Sequence, residues 1–330
     1  MKVAVVILNW NGRDLLEKFL PSVVSFSNEA TIYLVDNAST DDSVSFVSEF
    51  FPTVKILQNK INGGYAKGYN DALKNLSEDI FVLLNSDVEV TENWLQPVIS
   101  EFEKDASVVA AQPKILDYKK KEYFEYAGAA GGFIDKYGYP YCRGRIFNTL
   151  EKDSGQYDSV SEIFWASGAC LFVKADAFRQ VGGLDEDYFA HQEEIDLCWR
   201  LKSNGGKILY VFTSKIYHVG GATLAAQNPK KTFYNFRNSL FNLLKNTKRA
   251  NTFLIIFVRM VMDGIAGFHF LFQGKPKHLL AILKAHFSFY GLLTKFLKKR
   301  KKYASKLKYF STKSIVYQYF IKNKKVFNEF

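Results

Sequence analysis

Four short apolar runs, residues 3–8, 31–35, 54–58 and 80–84, recur along the first quarter of the chain, and the first three lead into stretches with helical spacing. Continuous apolar, β-branched runs of this length are what a strand buried on both faces requires. The stretches after them, residues 14–26, 41–51 and 65–76, read as helices. Strands alternating with helices predict an α/β fold built on a Rossmann-like, mainly parallel sheet. Asn9, Asp36 and Asp87 each fall at the carboxyl end of one of these strands. Ligands of such sheets bind beyond those ends, so separate segments converge on one candidate site.

After Trp94 the regular alternation weakens. Residues 127–132 are small and glycine-rich and residues 137–141 aromatic, which suits irregular loops that shape an acceptor surface and equally a plain surface loop. Residues 162–173 read as strand-rich around Ser167-Gly168-Ala169, and 175–181 as a short helix closed by Gly182-Gly183. The run FAHQEEIDLCWRLKSNGG opens a helix with Glu193, Glu194 and Asp196 and stops it at Gly205-Gly206. Residues 207–212 form a last strand, followed by Tyr217-His218-Val219-Gly220-Gly221.

Oxygen ligands at a strand end suit a divalent cation, and Asp87 in Asn85-Ser86-Asp87 supplies one, with a turn residue as the competing reading. Asn85 stands where a second carboxylate would strengthen that site. Asp36, with Asn37 and Ser39 after it, is read either as a turn residue or as an acceptor for the imide N–H of uracil or thymine. Asp196 and Arg200 are one helical turn apart and pair on one face, which makes Asp196 structural. Glu193 or Glu194, at the helix N-terminus, gains from the dipole, which lowers its pKa and leaves it ionised to take a proton from a sugar hydroxyl, with simple charge complementarity at the helix start as the competing reading. His218 and the glycines beside it suit close approach to a phosphate, as against a structural histidine. The Arg237 guanidinium suits a diphosphate, with a salt bridge as the competing reading.

Eight stretches in order, VVILNWNG, YLVDNASTDDS, NGGYAKGYN, LLNSDVEV, SGACLFVK, FAHQEEIDLCWRL, YHVGG and NFRNSL, run from Val5 to Leu240. Together they resemble the family 2 glycosyltransferases of the GT-A-type nucleotide-diphospho-sugar transferase fold, in particular the rhamnosyltransferase-like branch. The resemblance implies an inverting displacement at the anomeric carbon, with Mg²⁺ or Mn²⁺ as cofactor. It puts nucleotide contacts at Asn9, Asn11, Asp36, Asn62, Gly63, Asn70, Ser86 and Arg237, and the metal at Asp87 and His218. The base falls to Glu194, with Glu193 beside it. Glu194 stands where the family has Asp, one methylene shorter, and Asn85 replaces a common Asp. The donor is expected to be a UDP- or dTDP-sugar and the acceptor a hydroxyl of a glycan or lipid-linked glycan, in surface polysaccharide biosynthesis. A nucleotidyltransferase and a degenerate, membrane-bound sugar-nucleotide-binding scaffold are the rivals.

Charge divides the chain. Residues 1–244 hold 25 Lys/Arg against 31 Asp/Glu, whereas residues 245–330 hold 19 Lys/Arg against Asp263 and Glu329. The expected organisation is a catalytic domain over 1–244, with a nucleotide half to about 110 and an acceptor half over about 111–244, then a basic helical extension over 245–330. Residues 252–272 are long enough to span a bilayer, but Arg259, Asp263 and His269 interrupt them on one broad side. An amphipathic helix lying in the interface is the better reading, with a second over 278–297. Residues 295–325 then carry 12 Lys/Arg and no acid, interleaved with aromatics. An anionic membrane surface is preferred over nucleic acid as partner because two amphipathic helices precede this run. A solvated bundle or a homodimer contact is the competing use. Three cysteines without a CxxC pair argue against a disulfide framework and for a reducing compartment. The expected location is therefore cytoplasmic, peripheral to the inner face of the cell membrane.

Overall fold

A computed structural model describes residues 1–220, 228–248 and 250–330. The four apolar runs form β1 (Val3–Asn9), β2 (Ala30–Asp36), β3 (Lys55–Gln58) and β4 (Ile80–Asn85). They lie parallel in the order β3-β2-β1-β4. Crossovers run through α1 (Arg13–Ser25), α2 (Ser43–Phe50) and α3 (Gly64–Leu73). β1 and β4 are apolar without alternation because both faces are covered: Val5 and Val82 on one face and Val6 and Leu83 on the other are all wholly buried. α1 buries Leu16, Phe19, Leu20 and Val23, one stripe at helical spacing.

β5 (Val88–Val90), α4 (Gln96–Lys104) and β6 (Val108–Asp117) follow. The irregular middle holds a small antiparallel sheet of β7 (Gly132–Ile134), β8 (Pro140–Cys142), β9 (Arg145–Ile146) and β10 (Thr149–Leu150). The chain then rejoins the main sheet through β11 (Ser161–Glu162), β12 (Cys170–Lys174) and β13 (Lys207–His218), with α5 (Ala175–Gln180) and α6 (Glu193–Ser203) between the last two. β12 inserts antiparallel between β4 and β6, and β13 runs parallel to β6. The result is a mixed nine-stranded sheet with a parallel nucleus.

The last strand is longer than its apolar pattern predicts. It continues past Phe212 to His218 because β6 supplies partners as far as Asp117, after a register slip between Val211 and Lys215. Cys142, Cys170 and Cys198 are free and buried.

Four α-helices follow, α7 (Pro229–Asn246), α8 (Thr252–Phe272), α9 (Pro276–Gly291) and α10 (Leu293–Tyr303), before a last segment with only short helical turns at Tyr317–Ile321 and Phe327–Glu329. The expected helix over 278–297 is thus two, divided at Gly291-Leu292, and the turn brings Phe296 face to face with Phe241 at 3.7 Å. The 244/245 division falls in the last turn of α7.

Candidate active site

Register sets the site. Asn9 pairs with Asp36 across β1 and β2, and Leu8 pairs with Asn85 across β1 and β4, so three strand ends finish side by side. Asp36 Oδ2 accepts from the Ser39 amide at 3.0 Å, closing an Asx turn. Its Oδ1 is buried without a partner, and so is Asn9 Oδ1 on the neighbouring strand. Two adjacent orphaned acceptors are the complement of a ligand bearing N–H groups, since an unpaired buried acceptor is costly. Asn11, at φ 49°, accepts from the Thr40 amide at 2.7 Å and fixes the first turn against the second.

Asn37 ties this edge to the next loop. Its Nδ2 donates to Asn62 Oδ1 at 3.0 Å and to the Gly64 carbonyl at 3.3 Å, and Asn62 Oδ1 also accepts from the Gly64 amide. Gly63 caps α3, and Gly64 adopts φ +79° where a Cβ would lie 2.5 Å from the Phe189 carbonyl. Only glycine lets the loop before α6 come this close, and the Tyr65 amide donates to that same carbonyl at 2.9 Å. Asn70 is spent on this contact, donating to and accepting from the Leu184 backbone at 2.8 and 2.9 Å.

β5 pairs antiparallel with β13, with Val88 opposite His218, and this ladder brings Asp87 to the histidine. Asp87 Oδ1 lies 3.1 Å from His218 Nε2, and Asn85 Nδ2 lies 3.4 Å from the same nitrogen. On the other side of the ring, Glu125 Oε2 lies 3.3 Å from Nδ1, misaligned for a hydrogen bond. All three of Asp87, Glu125 and His218 are buried. Burial disfavours the imidazolium, but the Glu125 and Asp87 carboxylates outweigh it and push the His218 pKa up to about 10. Burial likewise disfavours the Asp87 carboxylate, and the His218 bond and charge, with backbone N–H groups, overcome this and hold it below its usual range.

Among the described residues, no three His, Cys, Asp or Glu side chains are grouped as a preformed metal site. The donor set still suits Mg²⁺ or Mn²⁺ completed by ligand oxygens, one carboxylate and one imidazole, where the cation would take the place of the proton that the neighbouring carboxylates hold on His218. Gly221, beside Gly220 in the sequence argument, lies outside the described residues.

The third part of the site is the start of α6. A Cβ at Gly168 would lie 3.9 Å from Glu194 Cβ and 3.0 Å from Tyr65 Oη, and Tyr65 Oη donates to the Gly168 carbonyl at 2.8 Å. The next carbonyl, Ala169, accepts from the Asn85 amide at 3.0 Å. The turn Ser167-Gly168-Ala169 therefore lies beside the stem of Glu194 and is bonded to the end of β4, two residues before Asp87. Glu194 is half-buried, and burial, opposed by the backbone N–H groups of the helix start, raises its pKa to about 7. The dipole argument gave the opposite sign; desolvation is the larger effect here. Glu193 is deeper, its Oε2 has no partner, and burial with the Glu194 charge raises its pKa well above the ordinary value. Of the two, Glu194 is the less deeply buried.

The loop before α6 is strained. Phe189, His191 and Gln192 all have positive φ, and Phe189 (φ 64°, ψ −59°) makes a γ-turn closed by the Ala190 amide on the Tyr188 carbonyl at 2.8 Å. α7 holds this loop. Asn238 Nδ2 donates to the carbonyls of Tyr188, Ala190 and His191 at 3.1, 3.0 and 2.7 Å. One turn later Asn242 bonds Gln192 and receives the Tyr188 hydroxyl, and Asn246 donates to Asp196 at 2.9 Å. Arg237 is turned the same way, its guanidinium on the Asp187 and Tyr188 carbonyls at 3.2 and 3.1 Å. Asp196 is the structural residue its spacing suggests, buried with Arg200 Nε and Lys245 Nζ each at 2.8 Å.

The strand ends, the Asp87–His218 pair and Glu194 are thus brought together, whereas Asn70 and Arg237 are engaged with the loop before α6. Glu125, Tyr65 and Asn238 also belong to the site; Tyr65 and Asn238 lie within NGGYAKGYN and NFRNSL, whereas nothing in the sequence around Glu125 marks it. Asn238, Asn242 and Asn246 at intervals of four on a helix were the available signal.

The profile of glycosyl transferase family 2 matches residues 4–182, more than half of the chain. Among curated relatives, the N-acetylglucosaminyl-diphospho-decaprenol L-rhamnosyltransferase of Mycobacterium tuberculosis is 27% identical over 230 residues, covering 65% of this chain and 75% of that protein. The crystal structure of GalNAc-T7 with UDP, GalNAc and Mn²⁺ superposes with a TM-score of 0.59 at 16% identity, over 76% of this chain and 48% of that one. The mannosyltransferase PcManGT from Pyrobaculum calidifontis, in complex with GDP-Man and Mn²⁺, superposes with a TM-score of 0.54 at 13% identity, over 91% and 84%. At these identities the structural likeness is one of fold.

Proposed function

This chain belongs to glycosyl transferase family 2, and from that premise we propose that it moves a sugar from a UDP- or dTDP-sugar to a hydroxyl of a glycan or lipid-linked glycan, with inversion. The observation that carries the reading is the Ser167-Gly168-Ala169 turn, which lies beside the stem of Glu194 and is bonded to the end of β4, two residues before Asp87. In this reading the base of the donor lies against Asn9 and Asp36, whose free Oδ1 accepts the imide N–H. Asp87 and His218 would hold Mg²⁺ or Mn²⁺, which neutralises charge on the departing diphosphate. Glu194 takes the proton of the acceptor hydroxyl as its oxygen bonds to the anomeric carbon, and the bond from that carbon to the diphosphate breaks. A carboxylate with a pKa near 7 suits that proton transfer. Asn11, Asn62, Gly63 and Ser86 line the nucleotide side; Asn70 and Arg237 act by fixing the loop that leads to Glu193 and Glu194.

The name of the mycobacterial relative, a transferase to a prenol-diphosphate-linked sugar, supports a lipid-linked acceptor, and with it work at the inner face of the cell membrane in surface polysaccharide assembly. The Mn²⁺ named with both solved neighbours supports the metal. The test is a panel of UDP-, dTDP- and GDP-sugars with Mn²⁺, read by release of nucleoside diphosphate and, without acceptor, by calorimetric binding. Metal-dependent release with one donor, abolished by Asp87→Ala, is expected. Tight donor binding without turnover on any acceptor would leave a sugar-nucleotide-binding scaffold, and pyrophosphate release from a nucleoside triphosphate would make the chain a nucleotidyltransferase.

A further inference from the structure

We infer that the outer faces of α8 and α9 form a lipid-docking surface on which α8 lies in the plane of the bilayer instead of crossing it. The inference rests on the membrane-associated reading above and adds the residues, the orientation and the lipid charge.

α8 is the one helix among the described residues that is long and apolar enough to cross a membrane. Its two sides are reversed relative to a soluble helix. Phe253, Phe257, Val261, Ile265, Phe268 and Phe272 are all more than half exposed. At 100° per residue they fall within a stripe about 120° wide. The charged residues Arg259 and Asp263 lie on the opposite side and are buried. Arg259 Nε meets Asp263 Oδ1 at 2.7 Å and its Nη1 donates to the Tyr137 carbonyl at 3.0 Å. The guanidinium also covers the Tyr139 ring at 3.7 Å, and the Tyr139 hydroxyl donates to Asp263 at 2.9 Å. These partners belong to the irregular middle of the α/β domain, more than a hundred residues upstream.

This arrangement decides between lying and spanning. A spanning α8 would have to leave Tyr137 and Tyr139 and carry an arginine and an aspartate into hydrocarbon. In the folded chain both ends of α8 stay beside the domain, since α7 leads into it and α9 returns against both α7 and α8. α9 extends the same surface, exposing Leu280, Leu283, Phe287 and Tyr290, and the Tyr290 hydroxyl reaches Met260 Sδ at 3.3 Å, so the two stripes share an edge. Half of the exposed large apolar side chains among the described residues sit on these two helices. Patches of this extent mark an interaction surface.

Charge selects the occupant. Lys275 and Lys277 at the α8–α9 turn and Lys284 along α9 are exposed and have no ion pair among the described residues, and α10 adds exposed Lys298, Lys301 and Lys302. A second copy of this chain would set these lysines against one another, whereas anionic headgroups neutralise them while the phenylalanines enter the acyl boundary.

The experiment is sedimentation of the full chain with phosphatidylcholine vesicles, with and without phosphatidylglycerol, alongside donor-dependent release of nucleoside diphosphate in solution. Binding is expected to vesicles containing phosphatidylglycerol and to weaken in high salt. The triple variant Phe257→Ser, Ile265→Ser, Phe268→Ser should bind at least about tenfold more weakly, and Lys275→Glu with Lys277→Glu about tenfold more weakly. Both should keep donor turnover in solution, so that loss of docking is separated from loss of the enzyme. If the triple variant also lost turnover, the lysine pair, which leaves the apolar face intact, would decide. Undiminished vesicle binding by both variants would overturn the proposal, as would a wild-type chain that ignores vesicles and forms a dimer the triple variant cannot. Membrane-bound protein should be released by alkaline carbonate; retention would overturn the in-plane orientation.

Discussion

Helices α6 and α8 each bury an aspartate and an arginine one turn apart, and the two pairs are put to different ends. In α6 the acid comes first, Asp196 before Arg200, the order the helix dipole favours. In α8 the order is reversed, Arg259 before Asp263, so the dipole opposes the pair. Tertiary partners make up the difference: the Tyr137 carbonyl, the Tyr139 hydroxyl and, at 3.3 Å, His286 Nε2. Around α6 the rest of the helix is buried too, Leu197, Cys198, Trp199 and Leu201 included, and what it presents is its N-terminus with Glu194. α8 presents a bare apolar flank. A buried ion pair of this kind is a poor source of net stability and a good way to fix an orientation. In one helix it aims a carboxylate; in the other it turns phenylalanines outward.

The largest effect is expected where the α6 orientation ends in chemistry. Glu194→Gln should lower kcat by about 10²–10⁴ while donor binding, read by calorimetry, stays near wild type. In the wild-type enzyme kcat/KM should rise as pH increases through about 7, because the raised pKa of Glu194 keeps it protonated below that point. The stability effect has the opposite sign. Burial favours the protonated form in the fold, so Glu194 costs stability as pH rises from 4.5 to about 7, and the glutamine variant should show a shallower decline, with Glu193 keeping its own share.

Next come the ion pairs themselves. Asp196→Ala takes the carboxylate from the buried Arg200 and leaves Lys245 only Asp185, and Arg259→Ala leaves the buried Asp263 only the Tyr139 hydroxyl and His286; each should cost about 3–5 kcal/mol in urea denaturation. The comparison is tested by activity. Turnover of the folded fraction should collapse in Asp196→Ala, whose helix start carries Glu194, and persist in Arg259→Ala. Equal losses in both would show that the two helices share one task.

How far the sequence carries this comparison depends on how local each cause is. β1 and β4 are legible because burial on both faces leaves unbroken apolar runs, and the Asp196–Arg200 pair because i,i+4 spacing is enough to make it. The grouping of Arg259 with Asp263 on one side of α8 is legible too. Which side faces the protein is not, since Tyr137 and Tyr139 come from a distant, irregular segment. The same holds for Glu125 beside His218, which depends on β13 running past its apolar stretch. The sign of the Glu194 shift is not legible because the helix start is local and visible, while the burial that outweighs it comes from the fold around it, where Gly168 lies beside its stem.

A smaller effect separates holding the loop from doing chemistry. Asn238→Ala removes three bonds to the strained segment before α6, and a loss of about 1–3 kcal/mol is expected from the carbonyls left unpaired. Its kcat should fall with little change in the pH at which activity rises, because Glu194 keeps its surroundings while its approach path loosens. A displaced pH profile would mean that Asn238 acts on the carboxylate itself.

The smallest effect is the most diagnostic for α8. Phe257 is 63% exposed, so Phe257→Ala should change stability by no more than about 0.5 kcal/mol. Two residues on, Arg259→Ala is expected to cost several times that. A large aromatic side chain that the fold can lose without penalty is one that the fold does not use, and its place on the surface then has to be explained by something outside the chain. Were Phe257→Ala instead to destabilise by 2 kcal/mol or more, about what burial of a phenylalanine contributes, the flank of α8 would be covered by protein in solution and the contrast with α6 would vanish.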